Sequence, residues 1–111
     1  MNDENKKKSD DIQRKRFMLT INNPKKYEMS HEKIIEAIHS AFAKQGILYF
    51  CLCDEIGESG TYHTHIFIMI PKKKRGSAVQ NAFPHAHIET EVRGTAQEVV
   101  AYIKKEGKKK R

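Results

Sequence analysis

The chain has 111 residues, 38% of them hydrophobic and 32% charged, and carries a formal net charge of +7. That length supports one core rather than two. No apolar run approaches the roughly 20 residues of a membrane-spanning helix, and MNDENKKKSDD lacks the apolar core of a secretory signal. The cationic excess points to nucleic acid first, because each phosphate contact releases counterions. The cations cluster at Lys6 to Lys8, Arg14 to Arg16, Lys72 to Arg75 and Lys108 to Arg111. Cys51 and Cys53, one residue apart on a strand, are wrongly placed for a mutual disulfide. Two reduced thiols suit an intracellular compartment.

Residues 1–13 read as a disordered leader. RKRFMLTINN (14–23) reads as a strand with Phe17, Leu19 and Ile21 on one side and Met18, Thr20 and Asn22 on the other. Pro24 ends it. Ser30 caps a helix whose Ile34, Ile35, Ile38, Ala41 and Phe42 recur at helical spacing, and Gly46 stops it. ILYFCLCDE (47–55) and TYHTHIFIMI (61–70) flank a Gly-containing turn and predict an antiparallel hairpin that Pro71 closes. Ser77 opens a short helix through Val79, Ala82 and Phe83. HAHIETEV (85–92) alternates like a strand, and a last helix follows Gly94 and Thr95 with Ala96, Val99, Val100 and Ile103 on its buried stripe. The order predicts an α+β fold, a ferredoxin-like or RRM-like split β-α-β with a central antiparallel sheet and helices on one face. The domain spans 14–107, and 108–111 form a basic tail.

His63 and His65 project to one face of their strand, roughly 7 Å apart at the backbone, away from Ile66, Ile68 and Ile70. Alone, such a pair is as easily two surface histidines. Glu55 ends the preceding strand, and the hairpin brings it near them; Asp54 faces the other way unless a bulge intervenes. Two imidazoles and a carboxylate suit Mn²⁺ or Mg²⁺ where open positions remain for phosphate oxygen. Tyr102 and Lys105 share a face of the last helix. Tyr102 flanks the buried stripe and is either a boundary tyrosine or a nucleophile, which a metal and Lys105 would have to assist.

FMLTINNP (17–24), YHTH (62–65) and YIKKEG (102–107) together resemble the three ordered motifs of the HUH-type rolling-circle replication initiators. These Rep endonucleases serve circular single-stranded DNA viruses and related bacterial plasmids. The resemblance covers nearly all of the chain from residue 14. One departure is Thr64, which stands where the family has a hydrophobic residue between the histidines. The resemblance implies a metal-dependent single-stranded DNA nickase and strand transferase. His63, His65 and Glu55 would hold one divalent ion, Mn²⁺ or Mg²⁺. Tyr102 would form a 5′-phosphotyrosine link, and Lys105 would orient phosphate or phenolate. The partner would be single-stranded DNA at a replication origin, in a stem-loop. Arg14, Arg16, Lys72, Lys73, Lys74 and Arg75 are candidate phosphate contacts, and Asn22 and Asn23 either contact DNA or cap a turn. A helicase domain is expected in a full-length protein of this kind. The compartment would be the bacterial cytoplasm for a plasmid and the host nucleus for a eukaryotic virus.

Two rivals remain at this level. A non-catalytic RRM-like module would bind single strands on sheet aromatics, but this face offers imidazoles and an acid. A structural zinc site from Cys51, Cys53, His63 and His65 would need C-x-C spacing tighter than usual. His85 and His87 form a second H-x-H pair without a preceding carboxylate and read as strand-surface residues.

Overall fold

Strand alternation organises the molecule, and its two faces are used differently. The computed structural model describes residues 12–57 and 59–109, with side chains only to residue 103 in the last helix. In chain order it contains β1 (Gln13–Asn22), a short 3₁₀ turn (Pro24–Tyr27), α1 (His31–Ala41), β2 (Tyr49–Ile56) and β3 (Tyr62–Arg75). There follow α2 (Gly76–Ala82), β4 (Ala86–Glu89) and α3 (Ala96–Lys109). The strands form one sheet in the order β2-β3-β1-β4, every neighbour antiparallel. This is the expected α+β, ferredoxin-like split β-α-β.

The odd residues of β1 and the even residues of β3 face one way. Phe17, Leu19 and Ile21 meet Ile66, Ile68 and Ile70, and α1 covers them with Ile34, Ile38 and Phe42. Val79 and Phe83 from the α2 region complete this core. On the opposite face a smaller cluster forms where Phe67 is buried by Val99 and Ile103 of α3, with Met18, Cys51, Cys53 and Met69 around it. Helices on one face is thus correct for α1 and α2 only. The third helix crosses the other face and packs on Phe67, away from His63 and His65.

Several local expectations shift for physical reasons. Pro71 does not end β3, which runs on to Arg75. The β1–β3 register breaks between Arg14 and Arg16, so proline sits where the ladder asks for no amide hydrogen. Ser30 is the N-cap of α1 and accepts from Lys33 N at 3.3 Å, but the helix ends at Ala41. Gly46, at φ +83°, instead closes the turn beyond it, donating to Phe42 O at 2.8 Å. Ser77 lies inside α2, whose N-cap is Arg75. β4 is four residues long, and the segment after it is held by Arg14 and Arg16 of β1. The leader through residue 11, residues 110 and 111 of the basic tail, and the Lys105 side chain lie outside the described residues.

Candidate metal and nucleic-acid site

The pairing register lays out the hairpin end of the α3 face in rows. Asn22, His63 and Glu55 stand abreast; His87, Thr20, His65 and Cys53 form the next row; Glu89, Met18, Phe67 and Cys51 form the third, already under α3. Direct cross-strand partners hold their Cβ atoms about 5 Å apart, so Glu55 and His63 are within reach of one small ligand.

His65 is fixed through both ring nitrogens. Nε2 lies 3.0 Å from Glu55 Oε1, and Nδ1 lies 3.2 Å from the Thr20 hydroxyl. Both His65 and Glu55 are largely shielded from water. His63 tilts 47° to the His65 ring, centroids 6.3 Å apart, and its Nδ1 is buried without a hydrogen-bond partner. A buried polar atom left unpaired is costly. Its Nε2 lies against Gly57, where a Cβ would come within 3.0 Å of it.

Among the described residues, no three His, Cys, Asp or Glu side chains already stand in a geometry that holds an ion. The donor set nevertheless fits a hard or borderline divalent cation: one carboxylate in contact with one imidazole, and a second imidazole beside them with an unsatisfied nitrogen.

Asp54, the reserve ligand, points to the other face. Its oxygens take hydrogen bonds from His31 Nε2 at 2.9 Å, Tyr62 Oη at 2.9 Å and Thr64 Oγ1 at 2.8 Å. Burial alone would raise this carboxyl, but the three donors and the nearby His31 outweigh it and hold it below its ordinary value. Thr64, the departure from the motif, is therefore a buried donor to Asp54, on the face away from His63 and His65. Cys51 and Cys53 pack beneath α3. Cys53 is the cross-strand neighbour of His65, while the nitrogens of His65 face Glu55 and Thr20.

Tyr102 is on α3 and 65% exposed. The structure does not seat it against the imidazoles. It lines a neighbouring groove of about 490 Å³ with Met18, Glu89, Val92, Glu98 and Val99. Met18 is two residues from Thr20 on the same strand face, so the phenol borders the row next to that of His65, about 7 Å along the strand.

The candidate phosphate contacts divide. Asn22 is exposed beside His63, and Asn23, at φ 53°, turns the chain and donates its backbone N–H to Tyr62 O at 2.6 Å. Lys72, Lys73 and Arg75 are exposed, and Lys74 lies 5.7 Å over the Phe42 ring, but all four sit roughly 30–40 Å down β3 from His63. Arg14 pairs with Glu91 at 2.6 Å. Arg16 donates to Gly94 O at 2.6 Å and Val92 O at 2.7 Å, which ties down the approach to α3. Sequence reasoning missed the roles of Thr20, Gly57 and Arg16. Alternation already put Thr20 on the histidine face; the partners of Arg16, 76 and 78 residues away, left no local signal.

Fold and site together define a ferredoxin-like domain with a histidine–carboxylate face and a tyrosine-bearing helix across that face. Residues 14–106 match the family described as "Putative viral replication protein", and the chain belongs to that family. It is 30% identical over 95 residues to the replication-associated protein of pigeon circovirus, a match covering 84% of this chain and 27% of that protein. The chain thus spans about a quarter of that relative's length. Among the described residues, no helix is long and apolar enough to cross a membrane.

Proposed function

We propose that this viral replication domain is a metal-dependent nickase and strand transferase that acts on single-stranded DNA at an origin. The observation that carries the reading is the row of Asn22, His63 and Glu55 with His65 bonded to Glu55, on the α3 face at the hairpin end of the sheet. Glu55, His63 and His65 would hold one Mn²⁺ or Mg²⁺, which when bound supplies Lewis-acid stabilisation of charge on the scissile phosphate.

Tyr102 Oη attacks phosphorus and gives up its proton. The bond from phosphorus to the 3′ oxygen breaks, and that oxygen gains a proton. The products are a 5′-phosphotyrosine and a free 3′-hydroxyl able to prime synthesis. One phosphodiester replaces another, so the reverse attack rejoins the strand without a nucleotide cofactor. Closure of the distance between the phenol and the imidazoles falls to α3, which rests on a small cluster and carries Tyr102 on its exposed flank. Lys105, three residues on, would orient the phosphate or the phenolate.

The test is a denaturing gel of labelled stem-loop DNA incubated with protein. A covalent complex should form with Mn²⁺ and vanish with EDTA, with His63→Ala and with Tyr102→Phe. Binding without any complex across the origin sequences of circovirus-type replicons would favour the RRM-like module.

A further inference from the structure

A second cavity lies at the same end of the sheet but on its other face. It measures about 820 Å³ and is lined by Pro24, Lys25, Met29, Lys33, Asp54 and Tyr62, among others. We infer that this cavity is a nucleotide subsite that takes a base of the single strand close to the scissile phosphate, with Tyr62 as the stacking surface and Lys25 and Lys33 as phosphate contacts. The inference rests on the nicking reading and deepens it.

Three observations carry it. First, the size suits a mononucleotide, since pockets for ligands of that class run about 300–1,000 Å³. Second, the aromatic surface is set in advance. Tyr62 is 42% exposed, yet its hydroxyl is locked to Asp54 Oδ2, so the ring is held in place with one side to solvent. Asp54 is held by His31 and Thr64 as well, so it fixes this wall of the cavity. A base stacked on a held ring loses little side-chain freedom. Third, the rim is rigid and carries two lysines beside Glu28. The Pro24–Tyr27 turn is bracketed by two non-glycine residues in left-handed conformation, Asn23 and Glu28. Such backbone strain persists only where surrounding structure holds it. Here the Asn23 N–H to Tyr62 O bond and the Met29 N–H to Pro24 O bond do so. Lys25 extends from this turn and Lys33 from the first turn of α1, and both are exposed.

Position links the cavity to the metal ligands. Tyr62 and His63 are consecutive and point to opposite faces, and Asn22 and Asn23 round the same edge. A strand crossing Asn22 and His63 needs to pass round the ends of β1 and β3 to put a base against Tyr62.

The test uses a single-stranded octanucleotide carrying one 5-iododeoxyuridine, irradiated with the full chain, and the cross-linked peptide mapped by mass spectrometry. The expected cross-link is on Tyr62. Fluorescence anisotropy with the same unmodified octamer should show about tenfold weaker binding for Lys25→Ala and for Lys33→Ala. The slope of log affinity against log salt should fall by about 0.7 in each, one phosphate contact on a single strand. Lys44→Ala, the same charge change at an exposed position beyond α1, should stay within about twofold. Cross-links confined to other residues, or equal losses in all three lysine variants, would overturn the subsite. Failure of the covalent complex in wild type would remove the nicking reading and leave these binding results standing.

Discussion

At the scale of single residues the account turns on which nitrogen of His65 is free. For Nε2 to accept a cation, the proton must sit on Nδ1 and be donated to the Thr20 hydroxyl, 3.2 Å away. Thr20→Val keeps shape and removes that acceptor. It should weaken Mn²⁺ binding roughly 10- to 100-fold by titration calorimetry, with the melting temperature nearly unchanged. Gly57 acts by absence. A methyl there would meet His63 Nε2 at 3.0 Å, so the imidazole must shift by a few tenths of an ångström. Gly57→Ala should therefore lower Mn²⁺ affinity about tenfold while far-ultraviolet circular dichroism stays the same. Unchanged affinity in both variants would mean that the imidazoles are not ligands. The preference for Glu55 over Asp54 was readable from strand alternation alone. The partner of Asp54 on α1, His31, was not, because no periodicity connects a helix start to a strand 23 residues later.

At the scale of elements, α3 must be both docked and correctly aimed. Its start is fixed by a reciprocal pair: Glu98 N–H donates to Thr95 Oγ1 at 3.1 Å, and Thr95 N–H donates to Glu98 Oε1 at 2.8 Å. Ahead of it, Gly94 at φ +88° makes the turn that Arg16 holds through two carbonyls. Charged donors of this kind contribute about 1.5–3 kcal/mol. Arg16→Ala should thus cost about 2 kcal/mol in urea unfolding and speed amide exchange in α3 ahead of β1 and β3. If Arg16 served DNA alone, stability and exchange would stay as in wild type. The order of elements was legible because helix and strand periods differ sharply along this chain. The side on which α3 packs was not. Val99 and Ile103 specify a buried stripe but not which sheet face receives it, and the odd residues of β3 mix His63 and His65 with Phe67 and Met69. Likewise Pro71 is a strand terminator by its local chemistry, and only the long-range register break opposite it makes it harmless.

At the scale of the whole molecule, the hairpin end gathers Asp54, Tyr62, Thr64 and His31 into one hydrogen-bonded group beside the apolar core. Acid should loosen the hairpin end first. The Asp54 carboxyl is held below its ordinary value of 3.8, so its ionised form binds its partners better in the folded chain than in the unfolded one. A lowered carboxyl contributes stability above the unfolded value and loses it as pH falls through the folded one. Wild type should therefore lose stability below about pH 4, and Asp54→Asn should start lower at neutral pH and lose less over the same interval, as measured by urea midpoints from pH 6 to pH 2.5. An equal acid loss in both proteins would place the sensitive group elsewhere.

The claim on which the rest depends is that Tyr102 and the histidine end of the sheet meet at one phosphate. Mass spectrometry of peptides from a Mn²⁺-dependent DNA complex tests it most directly. The account requires the nucleotide mass on the peptide containing Tyr102, and its loss in Tyr102→Phe. A nucleotide adduct on Tyr49, Tyr62 or any other residue, or one that persists in Tyr102→Phe, would contradict it.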